Sequence, residues 1–152
     1  MAVEGWRDAR RRLSVAMTPT SSSNPNIPLA EALYWLAAIE DDAQGKTPTE
    51  SDSYFATRDA STNGKTVGGL IFARNLVTHE LLIPIKPEPV GAYGAAPYGT
   101  APYGGGTQWR WKSRIELGSP IDKHGCDISY DDHVAGRGVG APLQAAEDFF
   151  GL

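Results

Sequence analysis

Arg74, Asn75 and His79 lie in the run Ala73-Arg74-Asn75-Leu76-Val77-Thr78-His79-Glu80-Leu81. Their types and spacing suit chemistry better than any other set in the chain. Histidine has an unperturbed pKa of about 6.5, so it can both give and take a proton near neutrality. Arginine keeps its charge and can donate two parallel hydrogen bonds to an oxyanion such as a phosphate. Val67, Leu70, Ile71, Val77, Thr78 and Leu81 recur at helical spacing, which predicts a helix over residues 65–83 closed by Pro84. On that helix Arg74 continues the apolar stripe, where a guanidinium is costly unless it is paired or lines a cleft. The plain structural role for it is an ion pair with Glu31, Glu40 or Asp41 of a neighbouring helix, with His79 an ordinary hydrogen-bonded histidine.

Other motifs carry less. Gly45-Lys46-Thr47 and Gly64-Lys65-Thr66 each supply the end of a phosphate-binding loop, but both lack the leading glycine, with Asp59 in its place in the second. They are better explained as turns and a helix start. Gly136-Arg-Gly-Val-Gly-Ala141 matches a dinucleotide pattern in form, yet too few residues follow to build the rest of that unit, and a glycine hinge accounts for it. His124, Cys126, Asp127, Asp131, Asp132 and His133 could all ligate a metal. Their spacing lacks the paired thiolates of a zinc site, so Asp131 or Asp132 is expected to cap a helix and no metal is expected.

Arg74 and His79, with four residues between them and polar Asn75 directly after the Arg, resemble the R-x4–6-H motif of the HEPN domain family. The resemblance covers roughly residues 28–84; the position two beyond the His, often Tyr in that family, is Leu81. Members are all-α, typically dimeric, and many are metal-independent endoribonucleases of toxin, abortive-infection and CRISPR-linked systems. The resemblance implies a homodimer that needs no cofactor. In it Arg74 and His79 of both copies would face one cleft and cut RNA, with Asn75 holding the pair. Geometry is compatible with that: residues five apart on a helix are turned by about 140° and displaced by about 7.5 Å, so one pair does not converge on a phosphate while two could. The whole chain also resembles actinobacterial proteins carrying the same Ala-Arg-Asn-x-x-Thr-His helix and a Gly-Arg-Gly-Val segment.

The elements around the motif read as a mainly α fold: a small antiparallel helical bundle with one short β element and a long Gly/Pro/Tyr-rich irregular segment. Four regions are expected. Residues 1–27 form a basic segment, either a short helix on Trp6, Ala9, Leu13, Ala16 and Met17 or a frayed start, and then a Pro/Ser linker. Residues 28–84 form the helical core, with a helix over 29–43 lined by Leu29, Leu33, Leu36 and Ala37, widened by Ala32 and Trp35. A polar loop fills 44–63, with at most one turn near Ser53. Residues 85–107 form an extended arm in which Tyr93, Tyr98 and Tyr103 recur every five residues, a period of neither helix nor strand. Residues 108–152 hold a strand over 108–117 and two short C-terminal helices, near 130–135 and 142–150.

On the strand Trp109, Trp111, Ser113, Ile115 and Leu117 alternate with Gln108, Arg110, Lys112, Arg114 and Glu116. Arg110, Lys112 and Arg114 could guide an RNA backbone, although a solvated face is the commoner meaning of such a row. The competing reading is a noncatalytic interaction module that docks a protein through the tyrosine arm and the two tryptophans, or a phage or prophage component. A net charge of −4 argues against binding nucleic acid by bulk charge. One cysteine in 152 residues excludes an internal disulfide framework and points to a reducing compartment. No stretch reaches the ~18–20 apolar residues of a membrane span, and the first 17 residues lack the apolar core of a secretion signal. The expectation is therefore a cytoplasmic protein without membrane partners.

Overall fold

Leucine, alanine and tryptophan at three- and four-residue spacing build a mainly helical chain with one short β element, the class the sequence predicts. The computed structural model describes residues 1–90, 106–122 and 125–152. Among these are six α-helices and two strands: α1 Ala2–Ala16, α2 Asn26–Ala43, α3 Pro48–Ala60, α4 Thr62–His79, β1 Ile85–Val90, β2 Gly106–Trp111, α5 Cys126–His133 and α6 Gly140–Phe150. Tyr93, Tyr98 and Tyr103 of the expected arm, and His124, lie outside the described residues.

The basic N-terminal stretch is a helix of the core. Trp6, Ala9, Leu13 and Ala16 form its buried face against α2, and the Trp6 indole N–H donates to Glu147 Oε1 of α6 at 3.1 Å. Its charged face closes on itself and on α2: Asp8 takes Arg11 and Arg12 at 2.6 and 2.9 Å, and Arg12 also pairs with Glu31. Helix α2 buries Leu29, Leu33 and Leu36 as the periodicity predicts.

The polar loop expected over 44–63 is instead mostly α3. Its Thr47-Pro48-Thr49-Glu50 start forms a capping box: the Glu50 N–H donates to Thr47 Oγ1, and the Thr47 N–H donates to Glu50 Oε2 at 2.9 Å. Only Arg58 of this helix is buried, so no apolar stripe announced it. At its end, Ser61 Oγ accepts the Gly64 N–H at 3.0 Å and starts α4. Gly64 has no room for a side chain, since a Cβ there would stand 2.0 Å from the Arg58 carbonyl oxygen. Gly69 likewise lets α5 lie against α4.

Helix α4 ends at His79, earlier than the expected Ile83, and Leu81 takes a positive φ of 53° as the chain turns into β1. β1 pairs antiparallel with β2, Ile85 opposite Trp111 and Glu88 opposite Gln108. The residues of β1 fall in the segment expected to be irregular; Pro87 and Pro89 disguise the strand but suit an edge. The other edge of β2 is covered by Gly136–Val139: the Trp111 N–H donates to Arg137 O at 2.9 Å, the Val139 N–H to Trp109 O at 3.0 Å, and Arg110 bridges Gly138. The glycine hinge thus serves as backbone for the sheet.

The expected strand over 108–117 stops at Trp111. Glu116 Oε2 accepts the Ser113 N–H at 2.7 Å and folds residues 115–117 into a 3₁₀ turn, which leaves Ile115 outside and Leu117 inside. Trp111 is fully buried beside Tyr130, whose hydroxyl donates to Lys112 O at 2.7 Å. Trp111 is therefore a core residue, not the docking residue of the interaction-module reading. No helix among the described residues is long and apolar enough to cross a membrane.

Candidate functional site

The last turns of α4 turn one stripe outward. Ile71, Arg74, Asn75, Thr78 and His79 follow the i, i+3, i+4, i+7, i+8 pattern of a single helix face. The first three are half-buried and the last two exposed, while Phe72, Ala73 and Leu76 behind them are buried. The motif residues therefore share an outward face, a difference from the expectation that Arg74 continues the packed stripe. Position explains it: α4 is buried on nearly every side up to Leu70, and only its C-terminal half emerges from the bundle.

Arg74 does not form the ion pair expected of it. Its Nη1 donates to Asn75 Oδ1 at 3.1 Å, its Nε is buried without a hydrogen-bond partner, and no carboxylate among the described residues stands within 4.0 Å. Of the three acids named for it, Glu31 pairs with Arg12 and Glu40 with Arg58 at 3.0 Å, while Asp41 is exposed and does not reach it. Of the nine arginines, Arg10, Arg11, Arg12, Arg58, Arg110 and Arg114 are ion-paired, while Arg7 and Arg137 are exposed. Arg74 alone combines partial burial with no acid among the described residues. A buried N–H without a partner carries a desolvation cost of about 1–3 kcal/mol.

Beside this face, Val77 and Thr78 line an open groove of about 610 Å³ together with Tyr34 and Trp35 of α2. Tyr34 is 57% exposed and meets the Trp35 ring edge-on at 5.3 Å. The Trp35 indole rests on Gly5, where a Cβ would fall 2.3 Å from the ring. Sequence reading counted Trp35 with the packing face and passed over Tyr34. The available signal was the register of Leu33, Leu36 and Ala37, which turns Tyr34 to the flank of the helix, about 100° from Leu33.

The basic row takes another form. Arg110 pairs with Glu88 at 3.2 Å and Glu116 at 3.0 Å, and Arg114, beyond the strand, pairs with Asp127 and with Asp131 at 2.8 Å. A phosphate would have to displace these carboxylates. Lys112 is half-buried, and its backbone bonds to Pro84 and Tyr130.

In the cluster around Cys126, burial pushes the thiol up to about 11. Asp122, not Asp131 or Asp132, accepts the Cys126 N–H at 3.1 Å at the start of α5. No group of three or more metal-ligating side chains comes together among the described residues. Neither Gly-Lys-Thr triplet forms a phosphate cradle: Gly64 abuts α3, and the Thr66 hydroxyl donates to Thr62 O at 2.9 Å.

A second polar group went unseen in the sequence. Glu40, 4% exposed, accepts from Arg58 Nη1 and from the Tyr54 hydroxyl at 3.2 Å; Arg58 also holds Asp59 at 2.9 Å and lies 4.8 Å from the Phe55 ring. All its members are mutually satisfied, so it fastens α2 to α3 and offers no free group to a ligand. Compared with known proteins, the chain matches no family model, no curated protein and no solved structure.

Proposed function

We propose that the outward face of α4 is a metal-independent RNA-cleaving site of the HEPN kind, with Arg74 on the phosphate, His79 in proton transfer and Asn75 holding Arg74. The observation that carries this is the half-buried Arg74 guanidinium, tied to Asn75 Oδ1 at 3.1 Å, with a buried unpartnered Nε and no acid among the described residues. Such a group is suited to an anion that is absent from the protein itself.

In the cleavage the 2′-hydroxyl oxygen attacks the adjacent phosphorus and the 5′-oxygen leaves, giving a 2′,3′-cyclic phosphate and a free 5′-hydroxyl. One histidine accepts the 2′ proton and another supplies the proton to the leaving oxygen. Arg74 balances the charge that grows on the nonbridging oxygens. Since Arg74 and His79 diverge by about 140° on one helix, the reading includes a homodimer that brings two copies of the face together. A cytoplasmic place, and a task in toxin or phage-defence systems, belong to this same proposal.

The test is to incubate purified wild-type and His79→Ala protein with total RNA in EDTA and separate the products on a gel. Cleavage by the wild type alone is expected. Inactivity of both proteins would move the assignment to a noncatalytic interaction module, and equal activity of both would expose a contaminating nuclease.

A further inference from the structure

We infer that the groove between α1, α2 and the end of α4 is a stacking subsite for one unpaired base of a single-stranded RNA. The inference rests on the reading that Arg74 engages an RNA phosphate. Its starting observation is Tyr34, an aromatic residue left 57% exposed although it lies next to the buried Leu33. Together with Trp35 it gives the groove an aromatic lining, and the tryptophan is held by its contact with Gly5, which excludes any side chain there. Aromatic surfaces stack on nucleobases whatever their sequence, because every base has a π-face.

The groove has room for a base. The groove, about 610 Å³ and open to solvent, falls within the range of small-ligand sites. Its rim carries Asp8 and Glu31, held by Arg11 and Arg12, so the rim bears no net charge. Each guanidinium of the rim already holds a carboxylate, so a phosphate finds no free cation there. The positive charge lies just outside: Val77 and Thr78 of the groove follow Arg74 by one helical turn, a spacing of about 5–6 Å between neighbouring side chains. A nucleotide laid here would have its base against α2 and its phosphate on Arg74, so unpaired strands are favoured over double helices.

The experiment uses His79→Ala protein, which leaves RNA uncut, and measures fluorescence anisotropy with a labelled single-stranded RNA and with an abasic backbone of equal length. Adding Tyr34→Ala is expected to weaken binding of the RNA about tenfold. Tyr34→Phe retains the affinity, and neither change affects the abasic strand. Because Tyr34 is largely exposed, the variants keep the helical circular dichroism of the parent. If Tyr34→Ala binds like the parent while Arg74→Ala loses binding, RNA engagement survives and the base subsite is overturned. If Arg74→Ala makes no difference, or RNA is not bound at all, the RNA reading itself falls, and the subsite with it. If sedimentation shows a dimer that Tyr34→Ala dissociates, the groove belongs to a second copy of the chain and the subsite is likewise overturned.

Discussion

Replacing Arg74 by Met separates a functional arginine from a structural one, because the two roles predict opposite signs of stability change. Methionine preserves an unbranched stem of similar length against Ile71 and Val77, so packing is largely kept. The substitution removes a buried Nε that has no partner, relieving a cost of about 1–3 kcal/mol. It also removes the 3.1 Å bond to Asn75 Oδ1, but Asn75 is only half-buried and water can replace the donor, so this loss is about 0.5–1 kcal/mol. The balance is a gain of about 1 kcal/mol, which for a chain of this size raises Tm by roughly 2–4 °C. Urea and thermal unfolding followed by circular dichroism would measure it. In the same variant RNA cleavage should fall by about 100-fold or more, the usual effect of deleting a donor to the transition-state oxyanion. A stabilised protein without activity is the signature of a residue kept at the expense of the fold. A loss of more than about 1 kcal/mol would refute the reasoning, since it would mean that Arg74 holds the structure.

Arg58→Ala leaves Glu40 buried without its cation and should cost about 3 kcal/mol in urea unfolding, whereas Arg58→Met with Glu40→Leu recovers most of that; equal losses in the single and double variants would contradict the pairing. Burial pushes the Glu40 carboxyl above its ordinary value of 4.5, against the pull of Arg58. The stability tied to this group is full below that value and declines as pH rises through the higher folded one, so Glu40→Gln should flatten the decline in the urea midpoint; an unchanged slope would refute this. In Gly69→Ala the new methyl would meet Val134 Cγ2 at 2.8 Å and Tyr130 Cα at 2.9 Å. Overpacking of about 1–3 kcal/mol exceeds the helix-propensity gain of about 1 kcal/mol, so Tm should fall, while Gly140→Ala, with nothing within 4 Å, should not lower it.

Where apolar side chains repeat over several turns, the sequence was enough: α2, α4 and α6 follow from Leu29–Leu33–Leu36, Val67–Leu70 and Leu143–Ala146. Helix α3 was illegible by that criterion because its buried residue is an arginine, and it is held to α2 by polar contacts of Arg58 and Tyr54 with Glu40. Its start was nevertheless written in Thr47 and Glu50, three residues apart as a capping box requires. The end of β2 depended on Glu116, whose carboxylate draws together Lys86, Arg110 and the Ser113 N–H and turns the chain. Alternation alone cannot show that, since it reports facing and not what a distant carboxylate does to the backbone.

The candidate site shows the same division between pattern and context. Helical spacing predicts that Arg74, Asn75 and His79 lie near one another, but periodicity placed Arg74 inward, and inward arginines normally find an acid. What decides the matter is competition for carboxylates. Arg12, three helices before Arg74 in the sequence, takes Glu31, and Arg58 takes Glu40; each match depends on tertiary packing that no local pattern encodes. With both of these claimed and Asp41 turned to solvent, the remaining half-buried guanidinium has only the Asn75 amide oxygen. A single added acid facing α4 would satisfy Arg74 and close the site to anions. The arginine's lack of an acid thus depends on how neighbouring charges are assigned across α1, α2 and α3, and the proposed phosphate role of α4 rests on that assignment more than on the motif spacing.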